Sequence, residues 1–149
     1  MFRNKRKSNS DNLNTFIYKL SKLKQIKNDK IIYNTHKLTK KINIHLFDVL
    51  FNLNKLTDEI NNNKSYKYLI DELNKIKNNI FYVNDILVVI RENKAEIDYI
   101  SEIDSYNYEY KLASSYLDNY MICLFKIYIN IENKILYIES LLEKINVIF

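Results

Sequence analysis

Between Ile42 and Ile60 the apolar positions recur in alternating steps of four and three: Ile42, Leu46, Val49, Leu53, Leu56, Ile60. That spacing places them all on one stripe of a helix, at the a and d positions of a heptad. The pattern returns twice. Leu69, Leu73, Ile76, Ile80, Val83, Leu87 and Ile90 form a second series, which Lys94 interrupts and Ile97 resumes. Leu117, Met121, Leu124, Tyr128, Ile131, Ile135, Ile138, Leu142, Ile145 and Phe149 form a third, unbroken series. A shorter amphipathic stretch precedes them, with Leu13, Phe16, Ile17, Leu20, Leu23 and Ile26 on one side and Lys19, Lys22 and Lys27 on the other.

The expected fold is all-α: an elongated bundle of about four helices over roughly 11–28, 35–60, 65–100 and 108–148. Ser10 or Asp11 would cap the first helix and Ser65 the third. The breaks fall at 28–35, at Asn61-Asn62-Asn63 and at 101–107. The two longest helices are expected to pair as a coiled-coil-like antiparallel hairpin. A helix of about 40 residues is about 60 Å long, longer than a compact globule of this mass is wide. The first two helices are too short to cover such a hairpin. Some apolar stripe should therefore be left for another chain. Phe47, Leu50 and Phe51 also widen the second stripe, so that helix should touch more than one neighbour.

One passage competes with this reading. Phe125, Ile127, Ile129 and Ile131 alternate with Lys126, Tyr128 and Asn130, the period of a strand. The heptad period continues on both sides and no turn residue bounds the passage, so helix is the expectation.

Composition sharpens the picture. The 149 residues contain no Gly and no Pro. Phosphate-cradling loops, dinucleotide fingerprints, nucleophile elbows and calcium-binding loops all require Gly, so none can be written here. Ile, Asn, Lys and Tyr make up over half of the chain. Their codons are A/T-rich, which is the mark of an AT-rich genome. The single Cys123 precludes an intrachain disulfide, thiol-pair redox chemistry and Cys-rich zinc sites. It also points to a reducing, intracellular compartment, nuclear or cytoplasmic. No apolar run reaches the length of a membrane span. The basic, acid-poor start Met1-Phe2-Arg3 has organelle targeting as its alternative reading.

Charge divides the chain. Residues 1–41 contain 12 Lys/Arg and 2 Asp, net +10, while residues 42–149 contain 11 Lys/Arg and 16 Asp/Glu, net −5. A basic arm thus joins a mildly acidic body, and residues 1–10 read as a disordered basic tail. Candidate polyanion-binding residues are Arg3, Lys5, Arg6, Lys7, Lys19, Lys22, Lys24, Lys27, Lys30, Lys37, Lys40 and Lys41. Lys far outnumbers Arg among them, which suits phosphate attraction without base reading. The same arm could meet anionic lipid, and Arg3 to Lys7 could serve as a nuclear address. A tyrosine group around the third break is the candidate partner interface: Tyr99, Tyr106, Tyr108, Tyr110, Tyr116 and Tyr120.

Catalytic chemistry finds little support. His45 and Asp48 share a helix face, but no Glu-x-x-His pair accompanies them, so they read as a polar pair beside the seam. His36 has no evident partner. Asp71, Glu72, Glu102 and Asp104 read as solvated helix charges, and Cys123 as a small core residue. The function expected is that of a non-enzymatic helical interaction or scaffold subunit. It would associate with other helical chains or itself through the heptad seams, with no cofactor, metal or small-molecule substrate. Nucleic-acid binding through the basic arm is the first alternative, and a membrane-surface role for the first helix the second.

Overall fold

The computed structural model describes residues 9–23, 30–104 and 107–148. Four helices follow in order: α1 (Asn9–Ser21), α2 (Lys30–Ile60), α3 (Tyr66–Ile103) and α4 (Tyr108–Ile148). No strand occurs among the described residues. The alternating passage Phe125–Ile131 lies inside α4, because the heptad stripe continues to either side of it.

Two boundaries differ from the expectation. The first helix ends at Ser21 rather than near 28, and Ser21 Oγ donates to Tyr18 O there. The second begins at Lys30 rather than near 35. Its extra turn has a core reason: Ile32 is fully buried, and Thr35 beside it is buried with its hydroxyl donating to Ile31 O at 2.7 Å.

The turn between α2 and α3 is built without Gly. Asn61 and Asn62 donate backwards to Asp58 O and Glu59 O, and Asn63 takes the left-handed conformation with φ 58°. Asn tolerates that region better than other non-glycine residues. Ser65 then caps α3, its Oγ accepting from Tyr68 N at 3.2 Å. Asn107 caps α4 in the same way, Oδ1 accepting from Tyr110 N at 3.2 Å.

Successive helices run antiparallel. His45 on α2 stands level with Asn79 on α3, and Lys77 on α3 level with Glu139 on α4. The expected α3–α4 hairpin is present, but α3 packs still more extensively on α2. The reason is that the α2 seam (Ile42, Leu46, Val49, Leu53, Leu56) is buried against the α3 seam in one continuous core with α4. α1 lies on α4 and α2 and spans only about 20 Å, against about 60 Å for α4. Leu13 and Ile17 enter the main core; Leu20 and Leu23 join Ile32, Ile97, Tyr110, Ala113 and Leu117 in a second cluster. One end of the bundle therefore has four helices and the other three.

The break in the α3 seam at Lys94 has a local cause. Lys94 Nζ lies 2.6 Å from Asp98 Oδ2 and 2.6 Å from Asp118 Oδ1, and Ser114 Oγ donates to Asp98 Oδ1 at 2.6 Å. Partial burial disfavours the Lys94 ammonium, but the hydrogen bonds and charges of Asp118 and Asp98 outweigh it and raise its pKa. The network ties α3 to α4 at the four-helix end, where a misaligned pairing would strand a half-buried cation.

Candidate functional site

The apolar side chains that the bundle fails to cover define the candidate site. On α4 the inward row is Leu117, Leu124, Ile131, Ile138 and Leu142, all buried. A second row, on another face of α4, reads Ile122, Phe125, Ile129 and Leu136 and faces solvent; Phe125 is 65 % exposed and Leu136 64 %. Steps of three, four and seven keep that row on one helix face. Across the α3–α4 groove, Phe81 and Val88 flank Asn84 at three and four residues and are exposed as well. A groove of about 170 Å³ lies between them, lined by Asn84, Leu87, Arg91, Met121, Leu124, Phe125, Tyr128 and Glu132.

A second exposed apolar row lies on α2: Ile44, Phe47 and Phe51. Asn43 Nδ2 donates to Asn14 Oδ1 at 2.8 Å and fixes which side of α2 faces α1. Lys40 and Phe47, three and four residues from Asn43, share that side. Tyr18 and Lys22 occupy the corresponding side of α1, four and eight residues beyond Asn14. Tyr33 and Lys37 extend the α2 row towards its N-terminus.

The lysines expected to bind polyanions gather at this flank and its edges. Lys19, Lys22, Lys30, Lys37, Lys40 and Lys41 are all exposed, and none makes an ion pair among the described residues. From Lys30 to Phe47 there is no Asp or Glu. Several ammonium groups rest on aromatic faces instead: Lys22 over Tyr18 at 5.0 Å, Lys37 over Tyr33 at 5.2 Å and Lys41 over Tyr82 at 5.3 Å. Lys19 lies between Phe16 and Tyr116, towards α4. Arg3, Lys5, Arg6, Lys7, Lys24 and Lys27 lie outside the described residues, as does the expected tail.

The tyrosine group does not form one surface. Tyr99 and Tyr108 are exposed, Tyr116 is half-buried, and Tyr106 lies outside the described residues. Tyr110 and Tyr120 belong to the core, 6 % and 1 % exposed. Their positions coincide with the inward stripe of α4, which turns them away from any partner. Burial raises the pKa of Tyr120, with Tyr128 beside it, and pushes Tyr128 up to about 12 against the pull of Arg91. Both hydroxyls are buried without a hydrogen-bond partner among the described residues and remain protonated.

Comparison with protein-family models, with curated proteins and with solved structures finds no match. The residues must therefore speak for themselves.

The remaining titratable groups have structural surroundings. His45 Nδ1 lies 3.2 Å from Asn79 Oδ1, and its ring stands edge-on to Tyr82 at 4.8 Å between centroids. Burial lowers the pKa of His36, the neighbouring Lys40 lowers it further, and a hydrogen bond to the backbone of Ile17 pulls the other way. Burial raises the pKa of the Cys123 thiol against the pull of Lys126, which keeps it in the unreactive form. Among the described residues, no helix is long and apolar enough to cross a membrane.

Sequence reasoning missed the outward row of α4. A signal for it existed: Ile122, Phe125, Ile129 and Leu136 repeat the seam Met121, Leu124, Tyr128, Ile135 one residue later. Two adjacent stripes on one helix imply two partners, and the bundle supplies only one side.

Proposed function

We propose that this chain is a non-enzymatic helical scaffold or interaction subunit that associates, through its uncovered apolar rows, with helical chains, its own copies included. The observation that carries the reading is the outward row of α4. Four large apolar side chains are exposed at helical spacing on one face of α4, and Phe81 and Val88 are exposed on α3 across the groove. Isolated exposed apolar residues are ordinary; an aligned stripe across two helices marks a contact surface. The exposed tyrosines Tyr99 and Tyr108 extend the apolar surface towards the four-helix end.

A second reading, nucleic-acid binding, rests on the unpaired lysines of α1 and α2. Six exposed cations with no carboxylate among them supply the charge that phosphate attraction needs. A membrane-surface role for α1 is not carried forward, because its apolar side (Leu13, Ile17, Leu20, Leu23) is packed inside the bundle.

Light scattering of the full chain, at low and high salt and with or without duplex DNA, separates the readings. The first expects masses above one chain without DNA. One-chain mass at every concentration contradicts it. The second expects DNA binding that falls steeply with salt and is lost when residues 1–41 are removed.

A further inference from the structure

The two uncovered flanks have the same length and the same apolar character, and they carry opposite charge. The α1–α2 flank runs from Tyr33 to Phe51, about 27 Å. The α3–α4 flank runs from Phe81 to Tyr99 on α3 and from Asp118 to Leu136 on α4, again about 27 Å each. On the first, every α2 charge before Asp48 is a lysine (Lys30, Lys37, Lys40 and Lys41), and Lys22 follows α1 on the same flank. On the second, Asp85, Glu92 and Glu96 are exposed and make no ion pair among the described residues. Its cations are Arg91 at the groove, Lys126 on the face of α4 that carries Ile122 and Ile129, and Lys111 near the start of α4; Lys94 is already held by Asp98 and Asp118.

The order along the bundle also matches. On α2 the lysines lie towards the four-helix end, and Ile44, Phe47 and Phe51 lie towards the middle. On α3, Glu92 and Glu96 lie towards the four-helix end, and Phe81 and Val88 towards the middle. Ile122, Phe125 and Ile129 on α4 stand beside those middle positions, since Phe125 lines the groove with Asn84 and Arg91.

We infer that the partner of this surface is a second copy of the chain, stacked side by side in the same direction. The lysine flank of one copy meets the carboxylate flank of the next, and apolar row meets apolar row. This inference rests on the association reading above and specifies the partner. Because the two faces differ, the contact is heterologous: a pair of copies keeps one free flank of each kind, and the contact repeats from copy to copy. Complementary potential also sets the register, since like flank against like flank would oppose like charges and an end-to-end reversal would move the lysines away from Glu92 and Glu96.

Charge reversal on each flank separately tests it. One full-length variant carries Lys37→Glu and Lys40→Glu, the other Asp85→Lys and Glu92→Lys. All four side chains are exposed, so circular dichroism should find both variants as helical as the parent. Each variant alone should associate at least about tenfold more weakly than the parent in sedimentation velocity. Mixed in equal amounts, they should recover growth by alternating along the stack, since the two intact flanks pair with each other and the two reversed flanks pair with each other. All four substitutions in one chain should restore growth. Association of either variant at parental strength, or a mixture no heavier than its components, overturns the stacking and leaves the association reading intact. A parent chain at one-chain mass overturns both.

Discussion

α4 carries two apolar rows of nearly the same make-up, and they have opposite fates. Leu117, Leu124, Ile131 and Ile138 are buried; Ile122, Phe125, Ile129 and Leu136, on another face of the same helix, are exposed. The difference is not one of hydrophobicity. It follows from the number of neighbours. α1, α2 and α3 all pack against the inward side of α4, and no helix among the described residues covers the other side. A seam in the sequence announces a helix and a partner surface, and only the other helices decide whether that partner lies in the same chain.

Substitution at adjacent positions gives the largest contrast. Leu124→Ala removes a buried side chain from the main core and should lower unfolding stability by about 2–5 kcal/mol in chemical denaturation. Phe125→Ala, next to it, should change stability by less than about 0.5 kcal/mol while weakening association. Equal losses at the two positions would erase the distinction between the rows.

A smaller effect is expected where the two helices are held in register. Lys94→Met removes the cation that joins Asp98 to Asp118 and should lower stability by about 1 kcal/mol, most of it gone in high salt. A loss as large as that at Leu124 would mean that the network acts as core rather than as a partly solvated tie.

The smallest effect concerns the α1–α2 flank, and pH is the lever. His36 has a folded-state pKa below 6.5, so the unfolded chain binds its proton more readily. Its contribution is therefore neutral above 6.5 and turns destabilising as pH falls through 6.5 towards the lowered value. Thermal melts between about pH 7.5 and 5 should fall less steeply for His36→Gln than for the parent. Identical slopes would remove His36 from the account of that flank.

Much of the fold was legible because periodicity persists over many turns. The seams of α2, α3 and α4 are buried where the 4-3 spacing placed them, and α4 begins at Tyr108 as expected. The end of α1 and the start of α2 were less legible, since Ile26 continues the first stripe in sequence whereas the helix stops at Ser21. The break at Asn61-Asn62-Asn63 falls where the sequence placed it, and the left-handed φ of Asn63 shows it standing where Gly commonly would. The candidate surface was half legible. The lysines are exposed as their pattern implied, but tyrosines close in sequence scatter around the helix, and Tyr110 and Tyr120 fall on the inward side. Phe47 and Phe51 widen a stripe in the sequence, yet both are exposed in the fold.

The central claim is that the outward row of α4 joins this chain to another helical surface. Its most direct test is the mass in solution of Phe125→Glu/Ile129→Glu against the parent, at equal concentration and in high salt, where charge contacts are screened. The account predicts a parent heavier than one chain and a variant of one-chain mass with undiminished helicity. A variant as heavy as the parent, or a parent that never exceeds one chain, contradicts it.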